Sequence, residues 1–159
     1  MLSTTERNNL ILAIRDLPQH LETAVQGLSE EQLDTRYREG GWTLRQVTHH
    51  IADSHLNAFI RMKLVIAEEH PTLKPYNQDD WAELPDARNF PIQSSLDIIR
   101  GVHQRMTQLL QNATEDSWIK TAFHPENGEV SLEDLLKTYS RHGNNHVNQI
   151  LTLRKKRNW

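Results

Sequence analysis

Four long stretches of the chain repeat apolar residues at the three- and four-residue spacing of a single helix face, and this periodicity restricts the fold more than any other feature. The first stretch carries Leu10, Ile14, Leu17, Leu21, Val25 and Leu28, with Pro18 predicting a kink or break within it. The second follows Gly40-Gly41, takes Thr43 as its N-cap, and presents Val47, His50 or Ile51, Ser54, Ala58, Met62 and Val65. A third runs through Leu96, Ile99, His103, Met106, Leu110 and Ala113. The fourth is capped by Ser131-Leu-Glu-Asp134, continues to about Lys156, and places Leu132, Leu135, Leu136, Tyr139, Ile150 and Leu153 on one face. Four amphipathic helices with almost no strand signal bury their stripes best against one another, which predicts an all-α four-helix bundle. At 159 residues the chain is long enough for one domain, 1-159, with a real core.

The connections are long. Ser29-Glu-Glu-Gln32 is a capping box for a short helical turn. After Glu69 a segment containing Pro71, Pro75, Pro85 and Pro91, with a turn of helix expected at Gln78 to Leu84, is too long for a tight hairpin and must cross the bundle or cover one end. Before the last helix, Pro125-Glu-Asn-Gly128 reads as a turn between two very short strands, Thr121 to His124 and Glu129 to Val130.

Composition excludes several classes. A formal charge of −3 gives no general pull toward nucleic acid, and the basic run Arg154-Lys-Lys-Arg157 complements the negative end of the helix it terminates. No cysteine is present, which rules out a disulfide framework, a thiolate zinc site and a cysteine nucleophile. No apolar run approaches ~18 residues and the N-terminus lacks a basic region followed by an apolar one, so no membrane association and a cytoplasmic location are expected.

Any metal must therefore use histidines and carboxylates. His142 and His146 stand at i and i+4 inside the buried stripe of the last helix. With nine histidines in 159 residues, chance alone supplies roughly half such a pair per chain, so the spacing matters only because of its apolar surroundings. A third ligand is sought in Thr48-His-His-Ile-Ala-Asp-Ser-His55. His49, His50 and His55 cannot all face inward on one helix; with Val47, Ser54 and Met62 as core markers, His50 lies nearest the buried face. Asn57 and Arg61 fall on nearly the same line and could supply polar groups beside the site. Asp53, one turn after His50, reads as an ordinary surface or capping-type carboxylate as readily as a partner to a ligand or a general base taken together. His103 is expected as a core or rim histidine, His124 as an exposed loop residue, and Trp42, Trp81, Trp118 and Trp159 chiefly as packing residues.

The block Tyr37-Arg-Glu-Gly-Gly-Trp-Thr-Leu-Arg-Gln-Val-Thr-His-His-Ile-Ala-Asp-Ser-His55, with Asn57, Phe59-Ile-Arg61 and Lys63, resembles the YfiT-like branch of the DinB superfamily. So do the segment Pro71 to Leu84 and the arrangement of Tyr139, His142 and His146, and the resemblance spans about residues 5 to 158. It implies a DinB-like bundle in an up-down-down-up arrangement, one divalent metal ion per subunit, zinc or nickel, and three histidine ligands matching His50, His142 and His146. Members of this branch are described as metal-dependent hydrolases, often dimeric, and some as bacillithiol S-transferases. Relatives often carry further histidines where this chain has Asn144, Asn145 and Gln149.

Three neutral imidazoles leave the ion its full charge and an open coordination position. Such an ion activates either water or a thiol. The leading expectation, carried by the resemblance, is transfer of a low-molecular-weight thiol to an electrophilic small molecule by a homodimer. The alternatives are hydrolysis of an amide or ester, and a metal-stabilised bundle that binds without turnover. Arg61 is the candidate partner for substrate carboxylates and Asp53 the candidate proton carrier.

Overall fold

The computed structural model describes residues 1–159. Four long helices form the bundle: α1 (Thr4–Val25), α3 (Leu44–Ala67), α6 (Gln93–Gln111) and α8 (Leu132–Arg157). Short helices α2 (Glu30–Leu33), α4 (Gln78–Ala82), α5 (Pro85–Asn89) and α7 (Glu115–Ile119), and a two-stranded hairpin of β1 (Thr121–His124) and β2 (Gly128–Ser131), occupy the connections. The turn of helix expected at Gln78 to Leu84 is α4, whereas α5 and α7 have no counterpart in the sequence reading.

Local chemistry sets the helix starts. Ser3, Ser29, Thr43 and Ser131 each accept a hydrogen bond from the third residue of their helix, whose side chain bonds back to the cap nitrogen. Pro18 does not break α1, which continues through it to Val25. The hairpin has the expected limits at its first strand, and its second starts at Gly128, whose φ of +72° at the end of the turn favours glycine. Leu73 N–H donates to Phe123 O and Phe123 N–H to Pro71 O, so the chain after α3 is tied to β1.

Polar contacts at the helix ends give the directions. The backbone N–H of Leu2, just before α1, donates to Glu133 near the start of α8, whereas Arg154 near the end of α8 donates to Ala24 O and Gln26 O, so α1 and α8 are parallel. Arg7 pairs with Glu115 just past α6, while Arg100 early in α6 pairs with Glu22 late in α1, making those two antiparallel. His49 meets Ser95, and further along Arg105 packs over Phe59, so α3 and α6 are parallel. His50 meets His142 and Arg61 meets Tyr139, so α3 and α8 are antiparallel. The bundle is therefore up-down-down-up, with α1 diagonal to α3 and α6 diagonal to α8.

The apolar interior falls into two clusters. One gathers Ile11, Ile14, Ala58, Met62, Met106, Leu110, Leu132 and Leu136; the other gathers Leu17, Leu21, Val47, Ile51, Leu96, Ile99, Val147 and Ile150. Along every long helix the boundary falls at the same level, beside His55 on α3, His103 on α6 and His142 on α8. No helix is long and apolar enough to cross a membrane.

Candidate metal centre

His50 reaches α8 near the middle of the bundle, where His142 and His146 occupy successive turns. One ligating nitrogen from each of the three can be chosen so that all lie within 4.8 Å of one another. His50 Nε2 and His142 Nε2 are 3.2 Å apart. Two nitrogens bound to one tetrahedral zinc at ~2.0–2.1 Å lie about 3.3 Å from each other, so the spacing fits a shared cation. Burial is the main cause that pushes the imidazolium form of His50 down to about 3 and that of His142 to about 4, with neighbouring histidines adding to it. His146 is lowered too, by burial. Near neutral pH all three rings are thus free of the proton that would compete with a metal.

Each ring is held from outside the cluster. Gln149 Oε1 lies 2.8 Å from His146 Nδ1, so that nitrogen carries the hydrogen and Nε2 is left for a ligand. The role of Gln149 in orienting His146 carries no signal in the sequence beyond its i+3 spacing. Trp42 packs on His50 with ring centres 4.7 Å apart and lies nearly parallel to His146 at 6.4 Å. It is therefore part of the site's wall as well as a packing residue.

All three histidines of the α3 block are buried, although they do not share one inward face. The helix is covered on several sides at once, by α8, by α6 and by α4 and α5. His49 turns to Ser95 Oγ at 2.7 Å and to Phe90 O at 3.0 Å, which satisfies both of its nitrogens away from the cluster. His55 is fully buried and lies beside His103, with ring centres 4.8 Å apart and planes 27° from parallel; His103 is a core histidine as expected. His124, expected on an exposed loop, is 5% exposed because β1 packs it inward.

Two clefts meet at His142. The larger in lining, about 640 Å³, is walled by Arg61, Tyr76, His124, Asn127 and Tyr139. The other, about 670 Å³, is bounded by Tyr37, Arg38, Trp42, Asp79 and His146, and Gln78 borders both. Arg61 donates to Tyr139 Oη at 3.0 Å and Lys74 O at 2.7 Å, which fixes the guanidinium while leaving further N–H donors for a ligand. His124 Nδ1 accepts from the Glu126 N–H, so its Nε2 carries the hydrogen. Asp53 is half-buried and lines neither cleft. Burial, reinforced by the nearby Asp86 carboxylate, pushes its carboxyl up to about 6.

Comparison with known proteins places this architecture. The DinB superfamily model matches residues 13–150. A protein of Oceanobacillus iheyensis named "putative metal-dependent hydrolase" is 47% identical over 152 residues, covering 96% of this chain and 88% of its own. One of the same name from Bacillus cereus strain 03BB102 is 46% identical over 149 residues, covering 94% and 86%. The solved structure of YfiT from Bacillus subtilis, described as "a probable metal-dependent hydrolase with an unusual four-helix bundle topology", is 36% identical and superposes with a TM-score of 0.97, covering 100% of this chain and 91% of that one. With a helix order, a histidine cluster and a full-length match in agreement, the chain belongs to the DinB superfamily.

Proposed function

We propose that this chain is a metal-dependent enzyme that uses one divalent ion, zinc or nickel, on His50, His142 and His146 to activate a low-molecular-weight thiol for S-transfer to an electrophile. The observation that carries the reading is a cluster of three imidazole nitrogens, without a carboxylate oxygen among them, bordering two clefts. When bound, such an ion lowers the pKa of a thiol or of a water toward neutrality. A thiol ionises more readily than water and has less need of an adjacent carboxylate base, which favours sulfur chemistry here.

The protein's own groups supply the rest. Arg61 and the Nε2–H of His124 offer donors to an anionic group of the substrate, a carboxylate above all. Tyr139 and Lys74 hold the guanidinium in place for that contact. Asp53 has its carboxyl pushed up to about 6 by burial but lines neither cleft, so no proton-transfer role is assigned to it. Two clefts meeting at one histidine allow a thiol and an electrophile to approach from different sides.

Hydrolysis of an amide or ester is the second reading, favoured by the names of the relatives. The deciding experiment loads the protein with zinc or nickel and compares conjugation of bacillithiol, glutathione and cysteine to an electrophile with hydrolysis of model amides and esters. Metal-dependent conjugation is the expected result. Conjugation indifferent to metal removal would sink the proposed chemistry, hydrolysis alone would establish the second reading, and turnover of neither would leave a binding bundle.

A further inference from the structure

His55 and His103 are two fully buried histidines that the proposed chemistry does not use. They form a single file of hydrogen bonds that crosses the bundle. His103 Nδ1 lies 2.6 Å from Ile14 O, His103 Nε2 lies 2.9 Å from His55 Nδ1, and His55 Nε2 lies 3.4 Å from His142 Nδ1. Each of the four long helices contributes one member.

The file has a direction, and one atom sets it. A carbonyl oxygen only accepts, so His103 must carry its hydrogen on Nδ1. In a neutral ring Nε2 is then an acceptor, which requires His55 to donate from Nδ1. His55 Nε2 becomes the acceptor in turn, and His142 donates to it from Nδ1. The lone pair of His142 is thereby left on Nε2, the nitrogen that faces His50 Nε2 across 3.2 Å.

Ile14 O is available for this because of Pro18. In α1 the carbonyl of residue 14 would normally accept from the N–H of residue 18, and proline has none. His103 takes the place of the missing donor. A second adjustment makes room at the other end of the file. Gly143 follows His142 on α8, and a Cβ there would lie 3.0 Å from His55 Nε2 and collide with Leu17.

We propose that the Ile14 carbonyl, freed by Pro18, fixes through His103 and His55 the tautomer in which His142 presents its Nε2 lone pair to the metal. His103 and His55 are positioning residues on this view. The proposal rests on the reading of His50, His142 and His146 as a metal site, and its test separates the two.

The experiment uses the full chain labelled with 15N in histidine, metal-free, near pH 7.5. Long-range proton–nitrogen correlation identifies the tautomer of each ring, and Zn2+ affinity is read by competition with a chromophoric chelator. His103, His55 and His142 should all carry hydrogen on Nδ1, although neutral imidazole in water prefers Nε2. His103→Leu keeps the volume but removes donor and acceptor; it should release the His142 tautomer and weaken Zn2+ binding roughly 10–100-fold. His103→Gln, which retains a donor and an acceptor, should recover most of that loss. Pro18→Ala restores the competing N–H in a better helix former, so it should fold and weaken Zn2+ binding a few-fold while lowering the Nδ1–H fraction of His142. Hydrogen on Nε2 of His142 in the parent chain would overturn the proposal. So would His103→Leu or Pro18→Ala leaving both tautomer and Zn2+ affinity unchanged. A parent chain with the expected tautomers that binds no Zn2+ would instead overturn the reading of the metal site, together with the use proposed for the file.

Discussion

The two apolar clusters and the histidine layer between them are built on different rules. Above and below the layer, the core is aliphatic and its contacts have no polarity: Leu21 or Leu136 is held by fit alone. Within the layer, each contact has a donor and an acceptor, and reversing one member disturbs its neighbour. The apolar clusters supply stability that degrades gradually with lost volume. The layer stabilises less than an apolar core of equal size would, since burial of each imidazole excludes its charged form, but it specifies orientation.

Acid should separate the two regions most strongly. His50 and His142 have folded-state pKa values of about 3 and 4, below the usual 6.5 of an unfolded chain. Below 6.5 the unfolded chain takes up protons that the native layer refuses, so stability is highest above that pH and falls as pH drops toward 4. Asp53, raised to about 6, works with the opposite sign between about 4 and 6, but through a smaller shift. Urea denaturation of the metal-free chain at pH 7.5 and pH 5 should show a net loss at the lower pH. A flat profile would mean the layer is hydrated.

Substitutions sharpen the contrast further. Leu136→Ala, in an apolar cluster, should cost about 2–5 kcal/mol in chemical denaturation while changing Zn2+ affinity only a few-fold. His146→Ala should do the reverse, weakening Zn2+ binding beyond the roughly 100-fold that an outer partner of a ligand costs, with little change in metal-free stability. Gly143→Ala touches both regions, because its methyl group meets Leu17 on one side and His55 on the other. It should destabilise by about 1–3 kcal/mol and lower metal affinity together, measured by denaturation and chelator competition. Thr43→Ala, which removes a cap far from the layer's contacts, should cost only about 1 kcal/mol.

What is legible in the sequence follows the same division. The four long helices can be read because Leu10 to Leu28 or Leu132 to Leu153 repeat a local period, and because Ser29, Thr43 and Ser131 announce helix starts through neighbours three residues away. The expected grouping of His50 with His142 and His146 rests on helical faces and on the family resemblance. His55 and His124 are not legible in the same way. Their burial depends on how many sides of α3 are covered and on how β1 folds back, which no local period encodes. Pro18 is expected to kink or break α1, and the helix continues through it; only the position of His103 on another helix shows how the carbonyl it frees is satisfied.

Trp42, packed on His50 and close to His146, gives the site a built-in optical reporter. An open-shell ion such as nickel placed beside an indole is expected to quench its emission, whereas closed-shell zinc should chiefly alter its wavelength and intensity by setting a positive charge near the ring. With Trp81, Trp118 and Trp159 replaced by phenylalanine, a single emission band would follow loading of the centre in real time and distinguish one metal from the other without any substrate.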